Sequence, residues 1–111
     1  MSEPDFLDEM VGERTKRNPA FPQLVQAAQR RRELLRNLAA QRQAARRSQT
    51  EIAAAMQTSQ STIARLETAA DDAKVSTVER YAATVGLAVQ YHLIPLKQAN
   101  GLPAVVVHAA D

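Results

Sequence analysis

Cysteine and tryptophan are missing from this chain, and aromatics are scarce: two Phe and two Tyr in 111 residues. Without cysteine there is no disulfide framework, no thiolate zinc site and no cysteine nucleophile. A cytoplasmic location is the expectation consistent with that absence. So few rings argue against a stacking platform for single-stranded nucleic acid. No apolar run approaches the roughly 18 residues of a membrane-spanning helix, and the acidic start does not resemble a secretory signal, so no membrane is expected. No enzyme is expected either. The only histidines, His92 and His108, lie in a stretch with strand character, and no carboxylate pair or glycine-rich phosphate loop has workable spacing. The histidines have no carboxylate or thiolate nearby to complete a metal site. Asp71-Asp72 has no third oxygen ligand at calcium-loop spacing. No metal and no cofactor is expected.

What the chain does have is arginine in one place. Seven of its fourteen basic residues lie between Arg30 and Arg47, against the single acid Glu33, while Glu3, Asp5, Asp8, Glu9 and Glu13 crowd the start. The net charge of +2 is unremarkable; the asymmetry predicts a basic surface for a polyanion and a separate acidic tail. One domain with a modest core fits this length. Residues 1–18 read as a mobile acidic N-terminal segment, either a frayed terminus or a stretch that orders on a partner.

Asn18-Pro19 signals a helix start. From there to Arg47 no glycine intervenes, and Leu24, Ala27, Ala28, Leu34, Leu35, Leu38 and Ala45 form a stripe at helical period. The pattern predicts one long helix, or two kinked near Arg30–Arg32. Ser48 and Glu51 then form a capping box for a second helix whose inner face is Ile52, Ala53 and Met56. After the polar trio Gln57-Thr58-Ser59, Ser59 caps a third helix, with Ile63 and Leu66 inward and Gln60, Ser61, Thr62 and Arg65 outward. Ser76 and Glu79 make another capping box, Val78, Tyr81, Ala82 and Val85 face the core, and Gly86 ends that helix. From Leu87 the period becomes two. Leu87–Ile94 and Ala104–His108 read as strands around an Asn100-Gly101 turn. A lone hairpin is marginal in water, so the strands are expected to pair with a second copy or a partner's sheet.

The outward set on the third helix points to duplex DNA. Gln, Ser and Thr near a helix N-terminus, with Arg one turn on, are side chains that read base edges in a major groove. Gln60, Ser61 and Arg65 are the expected base contacts. Gln49, Ser59, Thr62, Arg42, Arg46 and Arg47 are the expected phosphate contacts, Gln49 because a helix N-terminus already favours a phosphate.

Ser48–Glu67 resembles the helix-turn-helix of Cro/Xre-family repressors. The carrying residues are Gln49 opening the first helix, Ala53 at its fifth position, Ile63 in the second, and the closing Leu66-Glu67. The family often has glycine in the turn, where this chain has Gln57. Asn18-Pro19-Ala20-Phe21, the long helix and the TVERYAATVG segment up to Gly86 extend the resemblance to HigA-type antitoxins of type II toxin–antitoxin systems. The resemblance implies a mainly α fold: a lambda-repressor-like helix-turn-helix bundle over residues 19–86. A long N-terminal helix belongs to it, and the resemblance ends near residue 95. The short C-terminal β-strand or hairpin extension over 87–111, expected from the period-two pattern to serve dimerisation, runs beyond it. The role of the tail after Pro95 stays open. The resemblance also implies a homodimeric repressor of its own operon that binds operator DNA and neutralises a RelE/HigB-like ribonuclease toxin. Two alternatives stay open: a stand-alone Xre-type regulator without a toxin, and a protein-interaction module that no longer binds DNA.

Overall fold

Local signals in the sequence decide where each helix starts and stops. The computed structural model describes residues 21–68 and 73–107, so the acidic segment 1–18, the Asn18-Pro19 signal, Asp71-Asp72 and His108 lie outside it. The first helix, α1, runs unbroken from Phe21 to Ala44, with Pro22 in the first turn where no intrahelical N–H is needed. Helix α2 (Gln49–Met56) opens on the expected capping box: Ser48 Oγ accepts from the Glu51 N–H at 3.0 Å, and the Glu51 carboxylate accepts from the Ser48 N–H at 3.2 Å. Helix α3 (Gln60–Thr68) follows Ser59, whose hydroxyl accepts from the Thr62 N–H at 3.2 Å.

Helix α4 spans Val75–Thr84 and starts differently from expectation. Lys74, with no side-chain cap bond, precedes its first turn, and Ser76 lies inside it. The capping-box pattern Ser76–Glu79 is matched in sequence, but the helix starts two residues earlier, with Lys74 in the cap position, so Ser76 lies within the first turn.

Three helices end on a left-handed residue with paired closing hydrogen bonds. Gly86 (φ 78°) ends α4, with Leu87 N–H donating to Ala82 O. Gln57 (φ 56°) ends α2, with Thr58 N–H donating to Ala53 O, and Arg46 (φ 57°) ends α1, with Arg47 N–H donating to Arg42 O. This is the geometry that favours glycine. The helix-turn-helix turn is therefore closed in the ordinary way, with Gln57 bearing the conformational strain. The Gln57 side chain is exposed, so Gln57→Gly removes the strain and loses no packing. It is expected to raise stability by about 1 kcal/mol in urea unfolding; a decrease would show that the Gln57 side chain stabilises the turn.

One core joins the four helices. It comprises Leu35 and Leu38 of α1, Ile52, Ala53 and Met56 of α2, Ile63 of α3, and Val78, Tyr81 and Ala82 of α4, with Leu34, Leu66, Val85, Leu87 and Val89 packed around it. Helices α2 and α3 pack on each other, and α1 and α4 brace them from behind. Of the expected apolar stripe, Ala27, Ala28, Leu34, Leu35 and Leu38 are buried or half-buried, while Leu24 and, just past the end of α1, Ala45 are exposed. Among the described residues Leu24 is 56% exposed, although Val25, Gln26, Ala27 and Ala28 beside it are half-buried.

The expected C-terminal β extension is not formed within the chain: among the described residues there is no strand. Residues 87–95 follow α4 without a ladder, and Asn100-Gly101 lies in a 3₁₀ helix, Leu96–Gly101, rather than in a hairpin turn. Pro95 sets the start of that helix, its carbonyl accepting from the Gln98 N–H at 2.9 Å. Two short strands interrupted by Pro95 and Pro103 bury too little to hold a hairpin by themselves. Ala99 is buried instead, and Ala99, Leu102 and Ala104 line a shallow groove with Gln26, Gln29, Arg30 and Glu33 of α1.

Candidate nucleic-acid interface

The exposed end of α3 and the buried floor beneath it are joined by a chain of side-chain hydrogen bonds. At its base Glu67, 7% exposed, accepts from Arg42 through both oxygens, Nε to Oε2 at 2.8 Å and Nη2 to Oε1 at 3.1 Å. The Tyr81 hydroxyl donates to the same carboxylate. Gln49 Nε2 donates to Glu67 Oε1 at 2.9 Å, and Gln60 Nε2 donates to Gln49 Oε1 at 2.6 Å. A residue at the start of α3 is thereby tied, through the start of α2, to the centre of the fold. No buried side-chain donor or acceptor among the described residues is left without a partner.

Burial by itself opposes charge on Glu67, but the bonds from Arg42, Tyr81 and Gln49 outweigh it and hold the carboxyl below the usual carboxylate range. Burial, and then the adjacent carboxylate, push the Tyr81 hydroxyl up, so it remains a donor. The Glu67 bond raises Arg42 and keeps it charged. These directions fix the sign of an acid response. Glu67 has a lower pKa folded than unfolded, so its contribution is complete above the ordinary value of 4.5 and is lost as pH falls through the depressed folded value. Urea midpoints at pH 7 and in steps below pH 4.5 are expected to fall more steeply for the native chain than for Glu67→Gln; parallel curves would contradict the assignment.

The expected contact residues fall into three groups. Gln60, Ser61, Thr62 and Arg65 are exposed on α3, and Ser59, Ser61 and Thr62 form a hydroxyl cluster at its start (Ser59 Oγ lies 3.1 Å from Ser61 Oγ and 2.7 Å from Thr62 Oγ1). Gln49 is half-buried, with its amide engaged on both sides as described. The three arginines separate. Arg42 is 8% exposed, its guanidinium turned into the fold onto Glu67 and onto Arg47 O at 2.9 Å. Arg47 donates to Thr84 O at the end of α4 and lies 3.9 Å from Glu51, pinning the α1–α2 turn to α4. Arg46 is exposed, on the left-handed residue of that turn, with no partner among the described residues.

Sequence reasoning treated Arg42 as one more surface cation, although Leu35, Leu38 and Arg42 share one face of α1 at spacings of three and four. Glu67 likewise follows Ile63 by four. Two opposite charges on buried faces were a readable signal for an internal pair. A further tie was not foreseen: Arg80 Nη2 donates to Met56 O at 2.5 Å and satisfies the end of α2.

Residues 33–90, just over half of the chain, match the family model described as the helix-turn-helix domain. The chain belongs to the helix-turn-helix domain family. Comparison with curated proteins and with solved structures gives no match. The matched span holds the whole hydrogen-bonded chain from Arg42 to Tyr81, with α2 and α3 at its centre. In a helix-turn-helix the second helix of the pair enters the major groove with its N-terminal residues on base edges; in this protein that helix is α3. Membership supports DNA binding. Among the described residues no helix is long and apolar enough to cross a membrane.

Proposed function

We propose that this helix-turn-helix protein is a sequence-specific transcriptional repressor rather than an enzyme, reading operator DNA as a homodimer. The observation that carries this reading is the set Gln60, Ser61 and Arg65, exposed on α3 while Gln60 is anchored through Gln49 to Glu67. A side chain already held in place gives up less rotational freedom on binding. Gln pairs with adenine and Arg with guanine across the major groove. Gln49, Ser59, Thr62 and Arg46 hold the phosphate backbone and set the register. Arg42 and Arg47 serve from inside, fixing the turn that presents them. Gln57 does not count against DNA binding, because the turn it closes keeps its left-handed geometry.

One such helix covers only a few base pairs, and a two-fold dimer doubles the footprint. The finer role, antitoxin of a type II pair that neutralises a RelE/HigB-like ribonuclease and represses its own operon, rests on the resemblance to HigA-type proteins. A small basic ribonuclease encoded beside this gene, whose toxicity is relieved by co-expression, supports it; its absence leaves the stand-alone regulator.

The deciding titration is fluorescence anisotropy against the duplex upstream of this gene and a shuffled duplex, at two salt concentrations. The proposal expects preference for the upstream duplex and affinity that falls with salt. Equal, salt-insensitive affinity for both would make the domain a protein-interaction module.

A further inference from the structure

The hydrogen-bonded chain beneath α3 has a direction, and that direction reaches the surface. Glu67 is held ionised by Arg42, so both of its oxygens can only accept. The Gln49 amide must therefore turn its nitrogen to Glu67 Oε1, at 2.9 Å. Reversed, it would set a carbonyl oxygen against a carboxylate. The Gln49 oxygen, an acceptor, is left facing Gln60. Only the nitrogen of the Gln60 amide can meet it, and Nε2 lies 2.6 Å away. Each amide is oriented by the buried charge below it.

A glutamine amide has two N–H donors and one carbonyl oxygen. Gln60, exposed at the start of α3, has given one N–H to Gln49, and among the described residues no other bond engages its amide. It presents one donor and one acceptor. Adenine offers the complement in the major groove, N7 to accept and N6–H to donate, whereas guanine offers two acceptors, N7 and O6. A free glutamine could meet guanine with both N–H groups. Gln60 held by Gln49 cannot, and its oxygen would be set against O6. Thymine and cytosine each satisfy only one of the two groups.

We infer that Glu67, acting through Gln49, makes α3 select adenine and reject guanine at the base pair that Gln60 faces. The inference rests on the DNA reading proposed above and deepens it: the base preference of an exposed side chain is set by a carboxylate inside the fold. Glu67 and Gln49 are positioning residues, and Gln60 alone of the three touches the base.

The probes are four duplexes alike except at the base pair where Gln60→Ala loses discrimination, each carrying a different base there. The native full chain is expected to bind the adenine duplex about 5- to 150-fold more tightly than the guanine one, the range for a good bidentate pair. Gln49→Met keeps the length of the side chain but neither donates nor accepts as an amide does. It frees Gln60 to turn and is expected to bring the two affinities together. Gln49→Lys can only donate. It pairs with Glu67, donates to the Gln60 oxygen, turns both Gln60 N–H groups outward and is expected to move the preference to guanine. Arg42 and Tyr81 still satisfy Glu67 in both variants, and circular dichroism checks that the helices are kept. A changed phosphate contact at Gln49 shifts all four affinities alike, so the adenine-to-guanine ratio isolates the orientation of the amide. A native chain that prefers guanine at that pair, or an unchanged ratio in both variants, would overturn the inference and leave DNA reading intact. A native chain that prefers no duplex of any sequence would overturn both.

Discussion

Glu67→Ala is expected to cost about 3–5 kcal/mol of folding stability, the range found when one partner of a buried ion pair is removed. The substitution strands three groups together. Arg42 keeps its charge without a counter-ion, and the Tyr81 hydroxyl and the Gln49 amide lose their acceptor. Leaving a buried donor unpaired forfeits its desolvation cost in full. Against a total of about 5–15 kcal/mol for an ordinary domain, the loss removes between a fifth and nearly all of the stability. Urea unfolding with an unchanged slope and a lowered midpoint is the expected record. Glu67→Gln keeps the shape and one acceptor and is expected to lose less. A drop below about 1 kcal/mol for Glu67→Ala would mean that water replaces the carboxylate cheaply and that the cluster is not what holds α1, α3 and α4 together.

Gln60→Ala/Arg65→Ala is expected to abolish discrimination between the preferred duplex and a shuffled one. Each bidentate base contact is worth about 1–3 kcal/mol, so the pair accounts for about 2–6 kcal/mol of selectivity. Affinity for the shuffled duplex is expected to change little, because phosphate contacts supply it. Arg46→Ala gives the opposite signature, weakening all duplexes alike and lowering the salt slope by about 0.9 for the lost phosphate contact. If the double variant kept its selectivity, α3 would not be the reading element and the base-contact assignment would fall. Both exposed side chains lie outside the core, so a change in stability does not confound the result.

The helix-turn-helix was legible because short-range chemistry decides it. Ser48 with Glu51, Ser59 with the Thr62 N–H, and the inward positions Ile52, Ala53, Met56 and Ile63 each follow from spacing alone. Where a position depends on what lies across the fold, the sequence reading was partial. Arg42 looks like a surface cation until Glu67 is placed opposite it, twenty-five residues away along the chain. Leu24 belongs to a helical stripe, yet among the described residues it is exposed, because the stripe meets the core only from Leu34 onward. Arg46 carries a left-handed conformation because the α1–α2 connection is short, a demand that residue identity does not announce. The alternation from Leu87 to Leu93 reports an extended face, and pairing needs a second strand that the described residues do not provide. The Asn100-Gly101 signal was overridden by Pro95, which starts a 3₁₀ turn across it, and by burial of Ala99.

The central claim is that α3, held from beneath by the Arg42–Glu67–Tyr81 cluster, reads base sequence. Selection of bound duplexes from a randomised pool, run with the native chain and with Gln60→Ala/Arg65→Ala, tests it most directly. The account predicts that the native chain enriches an inverted repeat of half-sites about one helical turn apart, each containing adenine and guanine at fixed positions, and that the double variant enriches nothing. Enrichment of no motif by the native chain, or of the same motif by the variant, would contradict it.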